Sequence, residues 1–137
     1  NENIIEGDCR HKSELLFLIL KRQGFEVKKI KVIFDWKDLP IPQKFLDGLK
    51  KSGTIWDHDA LMVKIRNKWI KVDCTWNPEL KIKNFPVTEN WNGKSDTKQV
   101  TNGKLDFYDL DNYNKKIKID KEEALTFATQ LNYCLLS

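Results

Sequence analysis

Residues 57–76 read Asp57-His58-Asp59-Ala60-Leu61-Met62-Val63-Lys64-Ile65-Arg66-Asn67-Lys68-Trp69-Ile70-Lys71-Val72-Asp73-Cys74-Thr75-Trp76. Two β-like runs, 57–66 and 69–75, flank the short polar stretch Arg66-Asn67-Lys68, which is the pattern of a hairpin. If the turn is Arg66-Asn67, with Asn supplying a positive-φ residue, Ala60 faces Asp73 and His58 faces Thr75. His58 and Asp73 then become diagonal neighbours on one face, about 7–8 Å apart at Cα and within side-chain reach. If the turn is Asn67-Lys68, His58 lies too far along for a direct bond. An acid set between Val72 and Cys74 in so apolar a strand wants a partner, because a buried carboxylate is costly unpaired.

Working outward, Gly7 to Gly24 reads as a helix with its punctuation. Asp8 suits the N-cap, Lys21 and Arg22 suit the negative C-terminal end, and Gly24 suits the left-handed residue beyond it. The run Leu15-Leu16-Phe17-Leu18-Ile19-Leu20 is apolar on nearly every helical face, so this helix is expected to be buried centrally. Residues 25–36 alternate and are rich in Val and Ile, a strand. Residues 43–51 have room for a short helix, and 77–104 are polar and turn-rich. Further strands are expected at 105–110 and 115–119. Asp120-Lys121-Glu122-Glu123 is a capping box opening a helix to about Leu135. The expected fold is α+β, with a buried N-terminal helix and a C-terminal helix packed on an antiparallel sheet.

The chain has 137 residues, 40% of them hydrophobic and 11% aromatic, which suits one domain over residues 1–137 and argues against disorder. No apolar run approaches the ~20 residues of a bilayer span, and no basic-then-apolar leader opens the sequence. The net charge is +4, but only Arg10, Arg22 and Arg66 of the 24 basic residues are arginines. Nucleic-acid readers lean on arginine forks. Here lysines alternate with apolar residues at 29–32, 81–83 and 116–119, the look of a solvated strand face, so no nucleic-acid or membrane partner is expected. Cys9, Cys74 and Cys134 lie 65 and 60 residues apart without a C-x-x-C pair. That spacing fits reduced thiols in a cytoplasmic compartment, and neither a disulfide framework nor a zinc site.

Cys9 falls in the first turn of the expected helix, where free N–H groups and the macrodipole stabilise a thiolate and later an oxyanion. A thiol there, a histidine and an orienting acid are the parts of a nucleophilic triad: Cys9, His58 and Asp73. His11 follows Cys9 by two on one helix, where side chains point apart, and reads as an exposed residue. A site from Cys9, His11, His58 and Cys74 is disfavoured because Cys74, adjacent to Asp73, points to the other sheet face. Cys74 and Cys134 read as core. Trp56 and Trp76, flanking the His and Asp, read equally as core and as walls of a substrate groove.

Three blocks carry a family resemblance. They are Gly7-Asp8-Cys9-Arg10-His11-Lys12 leading through Leu15-Leu16 to Leu20-Lys21-Arg22-Gln23-Gly24-Phe25, then His58-Asp59-Ala60, then Lys68-Trp69-Ile70-Lys71-Val72-Asp73-Cys74-Thr75-Trp76. In that order, with fifteen residues from His to Asp, the chain resembles the transglutaminase-like domains of bacteria and archaea, within the papain-like superfamily. The resemblance spans roughly residues 3–78. It implies a Cys9, His58 and Asp73 triad and a cysteine helix packed on an antiparallel sheet. No cofactor and no metal are expected, and a peptide or protein amide is the expected substrate. Animal cross-linking transglutaminases carry Trp after the nucleophile where this chain has Arg10, and the family's aromatic two residues after the histidine is Ala60 here. The expected activity is therefore cysteine-dependent peptide or amide hydrolysis through a thioester. A protein-binding domain without turnover and a transferase forming isopeptide bonds are the alternatives.

Overall fold

The computed structural model describes residues 6–73, 75–114 and 117–136, with backbone alone for residues 6–10 and 136. The described chain is α+β. Helix α1 (Glu6–Arg22) leads into strand β1 (Glu26–Asp35), a short helix α2 (Gln43–Asp47), the hairpin β2 (Ile55–Ile65) and β3 (Lys68–Val72), strand β4 (Asp106–Asp109) and helix α3 (Lys121–Leu136). The four strands form one antiparallel sheet in the order β3-β2-β1-β4.

The hairpin turn is Arg66-Asn67, with φ of 52° and 65°. Two successive left-handed residues give the twist that a two-residue hairpin needs. The turn pairs Ile65 with Lys68 and Leu61 with Val72. This register decides the faces of the sheet. Ile30, Val32 and Phe34 of β1 share one face with Trp56, His58 and Ala60 of β2, across the pairs Ile30–Ala60, Val32–His58 and Phe34–Trp56. Leu61, Val63, Ile70 and Val72 take the other.

The first face carries the main core. Phe127 and Leu131 of α3 are buried there with Trp36, Trp56 and Trp76. Trp36 sits at the centre of an aromatic cluster, edge-on to Phe34 and Phe127 at 5.0 Å and to Trp56 at 5.5 Å. Such edge-to-face pairs add about 0.5–1.5 kcal/mol each beyond their buried area. The second face carries a smaller cluster of Val63, Ile70 and Val72, covered by Leu16 and Leu20 of α1.

That placement corrects the expectation of a centrally buried helix. Helix α1 lies on the sheet through the stripe Ser13, Leu16, Phe17 and Leu20, while Leu15, Leu18 and Ile19 are 60%, 55% and 44% exposed. One helix resting on one sheet face buries one stripe, and nothing among the described residues covers the other side. Asp8 lies inside the helix and not at its N-cap. The C-terminal end follows expectation: Gly24 has φ of 93°, its N–H donates to Lys21 O, and the Phe25 N–H donates to Leu20 O. This is the Schellman arrangement that satisfies the last carbonyls of a helix.

Two segments with strand-like lysine alternation, 81–83 and 116–119, are not strands where described. Residues 78–83 form a 3-10 helix opened by Pro78, and Ile82 is fully outside the core. Proline at the first helical position fixes φ and has no N–H to contribute to a ladder. Residues 117–119 are irregular, and Lys115 and Lys116 lie outside the described residues. Lys29 and Lys31 of β1 do lie on the open part of the sheet face beside α1, where Lys29 reaches Glu14 at 2.6 Å and Lys31 reaches Asp59 at 2.9 Å.

At the start of α3, the Glu123 N–H donates to Asp120 Oδ2 at 3.0 Å, one half of the expected capping box. The other half is replaced. The Glu123 carboxylate accepts the Lys51 N–H and the Ser52 N–H and hydroxyl, and so ties α3 to the segment after α2. No helix among the described residues is long and apolar enough to cross a membrane.

Candidate active site

His58 stands on β2 beyond the end of β3, and Asp73 is the first residue after β3. The twist and register of the hairpin bring the two side chains together. His58 Nε2 lies 2.8 Å from Asp73 Oδ2, with both residues buried at 4% and 7% exposure. The His58 and Phe34 rings meet nearly at right angles, 6.1 Å between centroids. An ionisable pair so desolvated persists only when its remaining lone pairs are satisfied. Thr75 supplies that. Its N–H donates to Asp73 Oδ1 at 3.0 Å, its hydroxyl donates to the same oxygen in a short bond, and its Oγ1 lies 2.9 Å from His58 Nε2. The Nε2 proton is thus shared between a carboxylate and a hydroxyl oxygen, which sets the tautomer and plane of the ring.

Asp73 is fixed through its backbone as well. Its N–H donates to Thr97 Oγ1 at 2.8 Å, and the Thr97 hydroxyl bonds back to Asp73 O at 3.2 Å. The same segment closes the outer edge of β3: the Thr97 N–H donates to Lys71 O, and the Lys71 N–H donates to Asp96 Oδ1. The outward backbone groups of Lys71 and Asp73 are thereby occupied at this edge of the sheet.

Of the three residues expected to form a triad, the structure brings His58 and Asp73 together. Cys9 is placed by its backbone alone, in the first described turn of α1, and its side chain lies outside the described ones. Helix α1 packs on the sheet face opposite His58, and its early turns meet the chain that leaves β3. The Lys12 ammonium donates to Thr75 O at 3.2 Å and to Asn77 Oδ1 at 2.5 Å. Ser13, one turn after Cys9, is buried and borders a small cavity with Asp73 and Thr75. Thr75 and Asn77, and the cavity beside Asp73, thus lie against the early turns of α1.

The other candidates resolve individually. His11 is exposed. Cys74 lies outside the described residues, and Cys134 is half-buried, not core. Trp56 is buried with its Nε1–H on Gly53 O at 2.9 Å, whereas Trp76 serves both roles, donating to Val100 O and walling a cleft. Among the described residues no group of three His, Cys, Asp or Glu side chains is placed to hold a metal.

Reading the sequence missed Thr75, Thr97 and Lys12. For Thr75 the signal was present. Aspartate followed two residues later by threonine is a local pattern in which a carboxylate captures backbone N–H groups, and the hairpin register already sets Thr75 opposite His58. Thr97 lies 24 residues beyond Asp73 and carries no such local signature. No protein-family model, curated protein or solved structure matches the chain.

Proposed function

We propose that this chain is a cysteine-dependent hydrolase of peptide or other amide bonds, with Cys9 as nucleophile, His58 as base and acid, and Asp73 as the orienting acid. The reading is supported by a single observation above all, the buried 2.8 Å contact between His58 Nε2 and Asp73 Oδ2 reinforced by Thr75. A carboxylate on Nε2 assigns the proton chemistry to Nδ1 and stabilises the imidazolium that catalysis requires. The position of Cys9 in the first described turn of α1 adds N–H groups and the positive end of the macrodipole.

In this mechanism the Cys9 thiol gives its proton to His58 Nδ1. The thiolate attacks the substrate carbonyl carbon, and backbone N–H groups at the helix start receive the developing oxyanion. The imidazolium returns its proton to the amide nitrogen as the C–N bond breaks, which releases an amine and leaves a thioester on Cys9. Water, deprotonated by His58, then attacks the thioester. The carboxylic acid departs and the thiol is restored. The three widely spaced cysteines fit a reducing, cytoplasmic setting for such a thiol.

Labelling with an iodoacetamide probe at neutral pH tests the reading. Cys9 is expected to react at least tenfold faster than Cys134, and to lose that advantage in His58→Ala. Equal reactivity of the thiols would exclude an activated nucleophile at this position.

A further inference from the structure

Beside Asp73 opens a cleft of about 470 Å³, bounded by the first half of α1, the chain leaving β3 and the segment 86–99. Its size fits one or two amino-acid residues. Leu16, Val72, Pro86 and Trp91 give it apolar walls. The Trp91 ring is 43% exposed yet anchored, since its Nε1–H donates to Ser95 O at 2.6 Å. An exposed indole held in place is a preorganised platform for a flat or branched apolar group.

The charge of the same cleft points to what accompanies that group. Gln99 Oε1 is buried without a hydrogen-bond partner, while its Nε2 donates to Thr97 O at 2.7 Å. A buried acceptor left unmet is costly, and this one is sealed from the cleft, so the ligand's polar group must be read from the charges instead. The charge is unbalanced. Lys12 is held by two neutral oxygens, and Lys98 stands exposed at the rim. Asp73 is the one acid among the lining residues, and its oxygens are taken by His58 and Thr75.

We propose that this cleft binds a peptide segment in which an aromatic or branched apolar residue is followed by an acidic one. The apolar side chain lies on Trp91, and the carboxylate sits between Lys12 and Lys98. The proposal deepens the hydrolase reading, on which it rests for the fate of the bound peptide, by naming the substrate class.

Binding is separable from turnover, so the test uses Cys9→Ala of the full chain and isothermal calorimetry. N-acetyl-Phe-Glu-amide is expected to bind at least tenfold tighter than the Phe-Gln, Phe-Lys and Ala-Glu analogues. Lys98→Gln, at an exposed position that does not touch folding, should reduce the preference for Glu over Gln severalfold, and adding Lys12→Met should erase it. Equal affinity for the Glu, Gln and Lys peptides, a preference untouched by Lys98→Gln, or no binding of any peptide would overturn the proposal. Binding as expected alongside an unreactive Cys9 in the native chain would instead overturn the hydrolase reading and leave the cleft's specificity standing.

Discussion

His58 Nε2 and Asp73 Oδ2 lie 2.8 Å apart in a site where both residues are nearly sealed from water. Neither group gains much from solvent, so each depends on the other and on Thr75. Removing one partner from such a pair leaves a desolvated charge or an unmet donor, at a cost of about 3–5 kcal/mol. Asp73→Ala is therefore expected to lower the free energy of unfolding by about that much in urea titration. Thr75→Val removes hydroxyl contacts only and should cost about 1–2 kcal/mol. A double-mutant cycle between them should show coupling above about 0.5 kcal/mol, and strict additivity would refute the shared network.

The hairpin register depends on Asn67, which holds φ of 65° at the second turn position. A β-branched residue pays heavily there, because its Cβ crowds the following carbonyl. Asn67→Val should destabilise the chain by about 1–2 kcal/mol. It should also broaden the His58 ring resonances, since any slip toward the alternative turn separates His58 from Asp73. Unchanged stability and an unchanged His58 spectrum would show that packing alone sets the register.

Glu123 provides a pH signature. Burial pushes its carboxyl upward, but this is outweighed by the hydrogen bonds from Lys51 and Ser52, so the group lies below its ordinary value of 4.5. A carboxyl depressed in the folded state contributes stability that is present in full above its unfolded value and is lost as pH falls through the folded value. Urea midpoints at pH 7 and pH 3 should therefore differ less for Glu123→Gln than for the native chain. Identical differences would show that the tie between α3 and residues 51–52 contributes nothing.

Trp36 and Trp56 are equally buried neighbours with opposite polar accounts. Trp56 Nε1–H is bonded to Gly53 O, whereas Trp36 Nε1 has no partner. Replacing each by Phe removes a similar volume, but only Trp36→Phe also removes an unmet buried donor. Trp36→Phe is expected to be less destabilising than Trp56→Phe by about 1 kcal/mol in thermal or urea unfolding. The reverse order would mean that ring packing dominates the difference.

Local signals in the sequence determined the helices at 6–22 and 121–136, the strand at 26–35 and the hairpin around Arg66-Asn67. Gly24, Asn67 and Asp120 act within a few residues of themselves, through left-handed backbone or a capping bond, so their effect is legible without knowing the fold. The pairing of His58 with Asp73 was legible for the same reason: two strands joined by two residues have one register per turn. Contacts across long separations had no such signature. Only the tertiary structure decided that Leu15, Leu18 and Ile19 face outward, because apolarity all round a helix does not say how many faces will find a partner. It also decided that Glu123 ties to Ser52, 71 residues earlier, instead of closing its own cap. Thr97 reaches Asp73, and Trp91 and Gln99 reach the cleft, only because an irregular segment folds back along β3. Such a path is set by loop closure and side-chain bonds made once the sheet exists, and no periodicity in the chain encodes it.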